Sequence, residues 1–157
     1  MSNRCTAPYA LPRLPCSCAS FGRAARGEVF DPTPFGEGAD NIGDDASASY
    51  TAAAEGIHAA LERPDVLDGN WFMPFGEVPA QLAIAFSTLE LAQHGWDIAK
   101  ATGQSPDFDD EVSGVALETA KAAGDAVRQP GVFGPEAGCP ERAPLHDQVA
   151  AFVGRQV

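Results

Sequence analysis

The residues of this sequence best suited to chemistry are a carboxylate and an imidazole four positions apart, Glu90 and His94. Each residue of an α-helix turns by about 100°, so such a pair lies about 40° apart, one turn above the other on one face. Asp97 follows one turn later on the same stripe. Because a carboxylate and a neutral imidazole are good ligands for zinc, iron and nickel, the spacing predicts a divalent-metal site on one helix.

Apolar residues of the same segment indicate where this pair lies. Leu82, Leu89 and Trp96 form an apolar stripe beside the polar one, so Glu90 and His94 are expected at the edge of a buried face. Charged groups there are costly unless a partner such as a metal ion compensates them. A solvated surface pair and a histidine whose hydrogen bonds are satisfied in the core remain alternatives. Two ligands are also fewer than the three that a catalytic zinc normally takes from the protein.

Four segments have the composition and periodicity of helices that could position such a site. They are residues 46–62, 79–102, 109–127 and 144–153. Asp44 or Asp45 is expected to cap the first, and Gly103 to end the second. Inward-facing side chains are predicted at Tyr50, Ala54, Ile57, Leu61, Leu82, Phe86, Leu89, Trp96, Val112, Val115 or Ala116, Thr119 or Ala123, Leu145, Val149 and Phe152.

The remaining segments are predicted to be irregular. Prolines and cysteines interrupt residues 1–22, and residues 64–76 are expected to form a connection rich in Pro, Gly and aromatic residues. No run of alternating β-branched residues predicts a sheet. We therefore expect an all-α helical bundle over residues 23–157, preceded by an irregular N-terminal segment at 1–22.

Composition and charge narrow the classes of partner. A net charge of −12 and a pI of about 4.4 disfavour binding to nucleic acid or to anionic membranes, because both are negatively charged. No stretch approaches the roughly 18 apolar residues of a membrane helix. The four cysteines match no disulfide framework, so we expect a cytoplasmic protein with reduced thiols.

Other residue types that bind metals occur at less favourable spacings. Cys16 and Cys18 could bind a soft metal, although one intervening residue is a poor chelate spacing. Cys139 with His146 could form half of a zinc site. His58 and His146 are each expected to be surface or packing residues, because a lone histidine is seldom a ligand.

The segment Pro74–Gln104, PFGEVPAQLAIAFSTLELAQHGWDIAKATGQ, resembles the metal-binding domain of mycothiol-dependent maleylpyruvate isomerases and their actinobacterial DinB-like relatives. The run HGWD-x-A-x-ATGQ is its most specific part, and Phe133–Arg155 is similar to that family's C-terminus. The resemblance extends over roughly residues 23–155. It implies a DinB-like four-helix bundle in which a histidine from an earlier helix joins a Glu/His pair on a later one. That later pair falls on Glu90 and His94.

The resemblance also implies a chemistry and a partner. In the family, open positions on the metal can hold the thiolate of a low-molecular-weight thiol such as mycothiol, because a metal keeps a thiol deprotonated. The expected function is then a thiol-dependent isomerase or S-transferase acting on a small molecule, with zinc as first choice of metal and nickel or iron as alternatives. Asp97 would orient His94 or a neighbouring residue without binding the metal itself. Two alternatives stay open: a non-catalytic metal-binding or small-molecule-binding protein, and a degenerate fragment without bound metal.

The sequence departs from the family in one respect: its first 22 residues contain no histidine. We therefore expect the first one or two helices of the family's domain to be missing, through a frameshift or a misassigned start codon, which leaves the bundle incomplete at its N-terminus. Translation of the upstream DNA in all frames should then reveal a helix that carries a histidine.

An incomplete bundle would expose the apolar face formed by Leu82, Phe86, Leu89 and Trp96. We therefore expect the purified chain to form a homodimer or to be poorly soluble. Light scattering on the purified chain measures this directly. A monodisperse, stable monomer would contradict the expectation.

Overall fold

The structure is a computed structural model that describes residues 7–36, 38–128 and 133–157, with side chains from residue 15 onward. Over this part of the chain it is mostly helical, with a small two-stranded sheet. The elements run in the order α1 (Ala7–Ala25), α2 (Ala46–Leu61), β1 (Asn70–Met73), β2 (Gly76–Pro79), α3 (Ala80–Ala101), α4 (Asp110–Ala123) and α5 (Leu145–Phe152), with 3-10 turns at Thr33–Phe35 and Gly124–Val127. The prediction of a mainly helical protein is confirmed. No helix within the described ranges is long and apolar enough to cross a membrane.

The chain divides into two compact units, and the boundaries fall inside α1 and inside α3. The first unit is Leu11–Ser87, and the second contains Thr88–Val157 together with the first turn of α1. The first unit has a core of apolar side chains from α1, α2, the two strands and the start of α3. Its buried members are Phe21, Ala24, Ala25, Ala60, Val66, Trp71, Met73, Ala80 and Ala83. Removal of this apolar surface from water is the main force that holds the unit together.

A β-hairpin occupies part of the segment predicted as a connection, so the prediction of no sheet is wrong. β1 pairs antiparallel with β2, and Trp71 lies opposite Val78. Side chains alternate along β1, which buries Trp71 and Met73. The indole Nε1 of Trp71 donates to the carbonyl oxygen of Val66 at 3.1 Å. Strands of four residues are too short for their alternation to stand out in a sequence.

The N-terminal helix α1 is a second correction. Residues 1–22 were expected to be irregular, yet α1 runs from Ala7 to Ala25 and crosses the predicted domain boundary; residues 1–6 lie outside the described part. Prolines weaken a helix, but the apolar residues at its C-terminal end, Phe21, Ala24 and Ala25, are buried in the core. Tertiary packing therefore outweighs the poor local propensity of this segment.

The ends of the helices agree with the sequence-based predictions better than their buried faces do. The Asp45 side chain accepts a hydrogen bond from the Ala48 amide at 2.9 Å and caps α2, and α3 ends just before Gly103, both as predicted. Several large apolar residues predicted to face inward are instead exposed, namely Tyr50, Leu61, Leu82 and Val112. Of the two alternatives Val115 and Ala116, Ala116 is the buried one. In α3 and α4 the buried faces hold many alanines, which carry less weight in a hydrophobic pattern than leucine or valine do.

The second unit ends in a turn that fixes the residues after α5. In this turn the Gly154 amide donates to the Ala151 carbonyl, and the Arg155 amide donates to the Ala150 carbonyl at 2.8 Å. This is the Schellman pattern, which requires a left-handed residue at the first position beyond the helix cap, and Gly154 has a φ of 94° there. The turn thereby sets the starting point of the Arg155 side chain.

Gly154 also lies against the backbone of Gly134, in the loop before α5. A Cβ atom placed on Gly154 would come within 2.7 Å of the Gly134 Cα, which is backbone and has little room to move. Gly103 closes α3 with the same hydrogen-bond pattern and a φ of 71°, but a Cβ there would meet nothing within 4 Å.

We expect Gly154→Ala to lower the free energy of unfolding by about 1–3 kcal/mol more than Gly103→Ala, because steric overlap is added to the same backbone strain. Urea denaturation of both variants measures the difference. Equal losses in the two variants would show that the close approach to Gly134 contributes nothing to stability.

Candidate functional site

The pair predicted as metal ligands lies together on α3. The Nε2 atom of His94 is 3.3 Å from Oε2 of Glu90. His94 is 3% exposed, and the Glu90 side chain is 22% exposed. The two side chains therefore stack at the edge of the buried face, as the helical spacing predicts, and are not splayed into bulk water.

The other ring nitrogen of His94 faces Asp97. The distance from Nδ1 to Oδ2 of Asp97 is 3.4 Å, close enough for an ion pair, but Nδ1 makes no hydrogen bond of good geometry among the described residues. The imidazole therefore lies between two carboxylates, with Glu90 at Nε2 and Asp97 at Nδ1. Because the two nitrogens point in different directions, Glu90 and Asp97 cannot both join His94 around one metal ion.

Asp97 is itself held by a buried arginine. The Arg155 guanidinium donates from Nε to Oδ1 at 3.1 Å and from Nη2 to Oδ2 at 3.0 Å, and both side chains are almost fully buried. Gln93, one turn before Asp97 on α3, adds a hydrogen bond from its Nε2 to Oδ1 at 3.1 Å. Such two-pronged pairing fixes a carboxylate in orientation as well as in position.

These contacts set the charge of the buried groups. Burial alone would lower the pKa of His94, but the carboxylates of Asp97 and Glu90 outweigh it, so the pKa of His94 is raised. Burial alone would raise the pKa of Asp97, but His94 and the Arg155 guanidinium outweigh it, so that pKa is lowered. The surroundings of His94 thus favour a positive charge on or beside the ring.

A metal ion fits this arrangement only in part. Glu90 and the Nε2 of His94 provide two ligands on the more exposed side of the ring, while Asp97 is engaged by the Arg155 cation, which would repel a second one. The described residues contain no group of three or more His, Cys, Asp or Glu side chains that could hold a metal ion. Within that part of the chain, Glu90 and His94 are not joined by the third protein ligand that the resemblance implies.

A second set of contacts joins α3 to α5. The Trp96 indole Nε1 donates to Oδ1 of Asp147 at 2.8 Å, and the Lys100 ammonium lies 3.4 Å from the same oxygen. The ammonium also lies 5.1 Å from the centroid of the Trp96 ring, within range of a cation–π interaction. These contacts hold the part of α3 that follows His94 against the last helix.

The other sequence candidates do not form a site. Cys16 and Cys18 are both buried in α1, where residues two apart point to different sides of a helix. Cys139 is exposed. His58 lies on the surface of α2 with its Nδ1 3.4 Å from Oε1 of Glu62, so the expectation of a surface residue is confirmed for it. His146 is partly buried beside Asp147.

Two residues of the cluster were missed by sequence reasoning. Arg155 is 58 positions away from Asp97, and no local pattern links residues that far apart. The local sequence gives only an indirect indication of its role. A glycine followed by an arginine just after an amphipathic helix predicts a helix cap, but it does not show which residue the arginine binds. Gln93 could have been found, because it precedes Asp97 by four residues and so shares its helical face.

Comparisons with known proteins locate relatives without locating a function. Two uncharacterized proteins, from two strains of Mycobacterium tuberculosis, are each 41% identical to this chain over 112 residues, which is 70% of this chain and 62% of each relative. The matched segment thus spans less than two thirds of those relatives. No family model matches the chain. No solved structure matches it either.

Removal of Asp97 should destabilise the protein strongly, because it leaves the Arg155 guanidinium buried and unpaired. We expect Asp97→Ala to lower the free energy of unfolding by about 3–5 kcal/mol. The double variant Asp97→Ala/Arg155→Met should lose less than Asp97→Ala alone, since it removes the stranded charge. Denaturant unfolding of the wild type, Asp97→Ala, Arg155→Met and the double variant measures these losses.

The exposed pair of Arg63 and Asp65 offers a control. Arg63→Ala should change the free energy of unfolding by less than about 1 kcal/mol. If the losses from Asp97→Ala and Arg155→Met are simply additive in the double variant, the two side chains are not coupled and the pair does not organise the site.

Proposed function

We propose that this chain is a divalent-metal-binding helical protein related to mycothiol-dependent maleylpyruvate isomerases, with Glu90 and His94 as two of the metal ligands. The observation that carries the proposal is the 3.3 Å approach of Glu90 Oε2 to His94 Nε2 at the edge of the buried face. A carboxylate and an imidazole at that distance can share one cation. Zinc suits this donor set best, and nickel or iron can take its place.

The environment of the ring supports a metal on the Nε2 side. Metal-binding histidines usually direct their second ring nitrogen at a carboxylate, which fixes the ring and its proton. Asp97 lies in that position, 3.4 Å from Nδ1, and Arg155 holds it there. The Nε2 side of the ring, which is less buried and next to Glu90, is then available to bind the ion.

We further propose a DinB-like bundle and a thiol-dependent isomerase or S-transferase activity on a small molecule. Support comes from the mainly helical fold and from the motif Glu90–Gln104 on and just after α3. When bound, the metal would keep a thiol deprotonated near neutral pH. The chain's own contribution is to hold the ion between Glu90 and His94 and to fix the ring through Asp97.

A non-catalytic protein or a fragment without bound metal is the second candidate. The observation in its favour is that the described residues bring no third His, Cys, Asp or Glu ligand to the pair. In that case the network of Asp97, Arg155 and His94 is a structural device alone. Turnover that depends on a low-molecular-weight thiol would separate the enzyme from both forms of this candidate.

Zinc titration of the purified chain tests metal binding. We expect about one zinc ion per chain, and we expect Glu90→Gln or His94→Gln to weaken binding by more than about 100-fold, because each removes a ligand and not merely a neighbour of one. Isothermal calorimetry in a non-chelating buffer gives both the stoichiometry and the affinity.

The chain contains a matched control pair. His58 and Glu62 are also four residues apart on a helix and 3.4 Å apart, but their side chains are 76% and 70% exposed. The variants His58→Gln and Glu62→Gln should leave zinc binding unchanged. Binding that is absent from the wild-type chain, or lost equally in both pairs of variants, would contradict the proposed site.

A further inference from the structure

We propose that Arg155, the arginine that follows α5, is a positioning residue for His94 and acts through Asp97. Its side-chain hydrogen bonds go to Asp97 and to the Val153 carbonyl. The inference deepens the proposed function, since it names a residue that would tune the metal site, and it also makes a claim about the metal-free protein.

The turn after α5 fixes the backbone of Arg155. The Schellman turn after α5 ties its amide to the Ala150 carbonyl at 2.8 Å, and Gly154 supplies the left-handed conformation that the turn requires. The backbone of Arg155 is therefore as well ordered as the last turn of the helix. A long side chain that starts from a fixed point loses less entropy when it reaches one partner.

The guanidinium of Arg155 is held in place by several contacts. Its Nη1 donates to the Val153 carbonyl at 3.1 Å, and its central carbon lies 5.3 Å from the centroid of the Phe133 ring. Nε and Nη2 are then aimed at the two carboxylate oxygens of Asp97, at 3.1 and 3.0 Å. The backbone, the ring and the carboxylate together leave the guanidinium a single orientation.

By holding Asp97, Arg155 affects the position of the His94 imidazole. Arg155 and Gln93 both donate to Oδ1 of Asp97, whereas Oδ2 has one described hydrogen bond, from Arg155, and faces Nδ1 of His94. Without Arg155, Asp97 could rotate about its side-chain bonds, and Oδ2 would no longer be held against the ring. The ring would then lose the contact at Nδ1 that keeps Nε2 directed at Glu90.

The experiment compares the wild-type chain with Arg155→Met and Arg155→Lys. Arg128→Met is the matched control, because Arg128 also donates to backbone carbonyls, those of Gly134 and Phe152, and also stacks on a phenylalanine ring, but it does not contact Asp97. Both Arg155→Met and Arg128→Met thus remove a guanidinium that stacks on a phenylalanine ring and donates to backbone carbonyls. Only Arg155→Met also removes a contact with Asp97.

The first readout needs no metal. The chain has three histidines, so the NMR signals of selectively labelled imidazole rings are readily assigned, and His58 and His146 serve as internal references. In the wild-type chain the His94 ring should give one sharp set of signals. Arg155→Met should broaden or double that set and leave His58 and His146 unchanged, whereas Arg128→Met should leave all three unchanged.

The second readout is zinc affinity. Arg155→Met should weaken binding by about 10–100-fold, the usual effect of losing a residue that orients a ligand. Arg155→Lys should fall between this variant and the wild type, because an ammonium keeps the charge but not the two-pronged geometry. Should Arg155→Met fail to fold, the intermediate behaviour of Arg155→Lys in both readouts becomes the test.

The outcomes separate the two proposals. If the wild-type chain binds no zinc, the proposed metal site fails, and the His94 signals still decide the role of Arg155. If Arg155→Met lowers thermal stability but leaves the His94 signals and any zinc affinity as in the wild type, Arg155 has a structural role only and the inference is overturned.

Discussion

The buried pairing of Asp97 with Arg155 is the interaction on which the described site depends. Two charges taken out of water are costly, and only close, two-pronged hydrogen bonding repays that cost. Here both guanidinium-to-carboxylate distances are near 3 Å, and Gln93 occupies a further acceptor position of the carboxylate. The pair also links α3 to the residues after α5, so one contact both closes the second unit and defines the surroundings of His94.

That pairing makes the two sides of the His94 ring unequal. On the Nδ1 side the carboxylate of Asp97 already has a cationic partner from the protein itself. On the Nε2 side Glu90 is less buried and is paired with His94. An exogenous cation is therefore better accommodated beside Glu90 than beside Asp97. This difference between the two sides of the ring explains why Glu90, His94 and Asp97, on successive turns of α3, do not together form a three-ligand site.

Local patterns predicted the parts of the fold that local forces control. The pattern predicts Asp44 or Asp45 as the cap of α2, and Asp45 is the one that caps it; Gly103 marks the end of α3. Both follow from local sequence because capping depends on the residues within one turn of a helix end. The course of α1 and the β-hairpin were not recognised, since both depend on side chains buried by distant segments. The exposed Leu82 was assigned to the core for a related reason: a pattern of large apolar residues does not show which face a neighbour will cover.

In the candidate site, the contacts set by helical spacing could be predicted from the sequence, and the contacts between distant residues could not. The sequence by itself determined that Glu90 and His94 stack on one face of a helix, with Asp97 one turn further on, because the geometry of an α-helix fixes which residues are neighbours. The tertiary structure alone decided that Asp97 faces Nδ1 of His94 and is neutralised by Arg155, 58 positions away. No periodicity encodes such a contact, since it forms only when the turn after α5 carries the arginine back to α3.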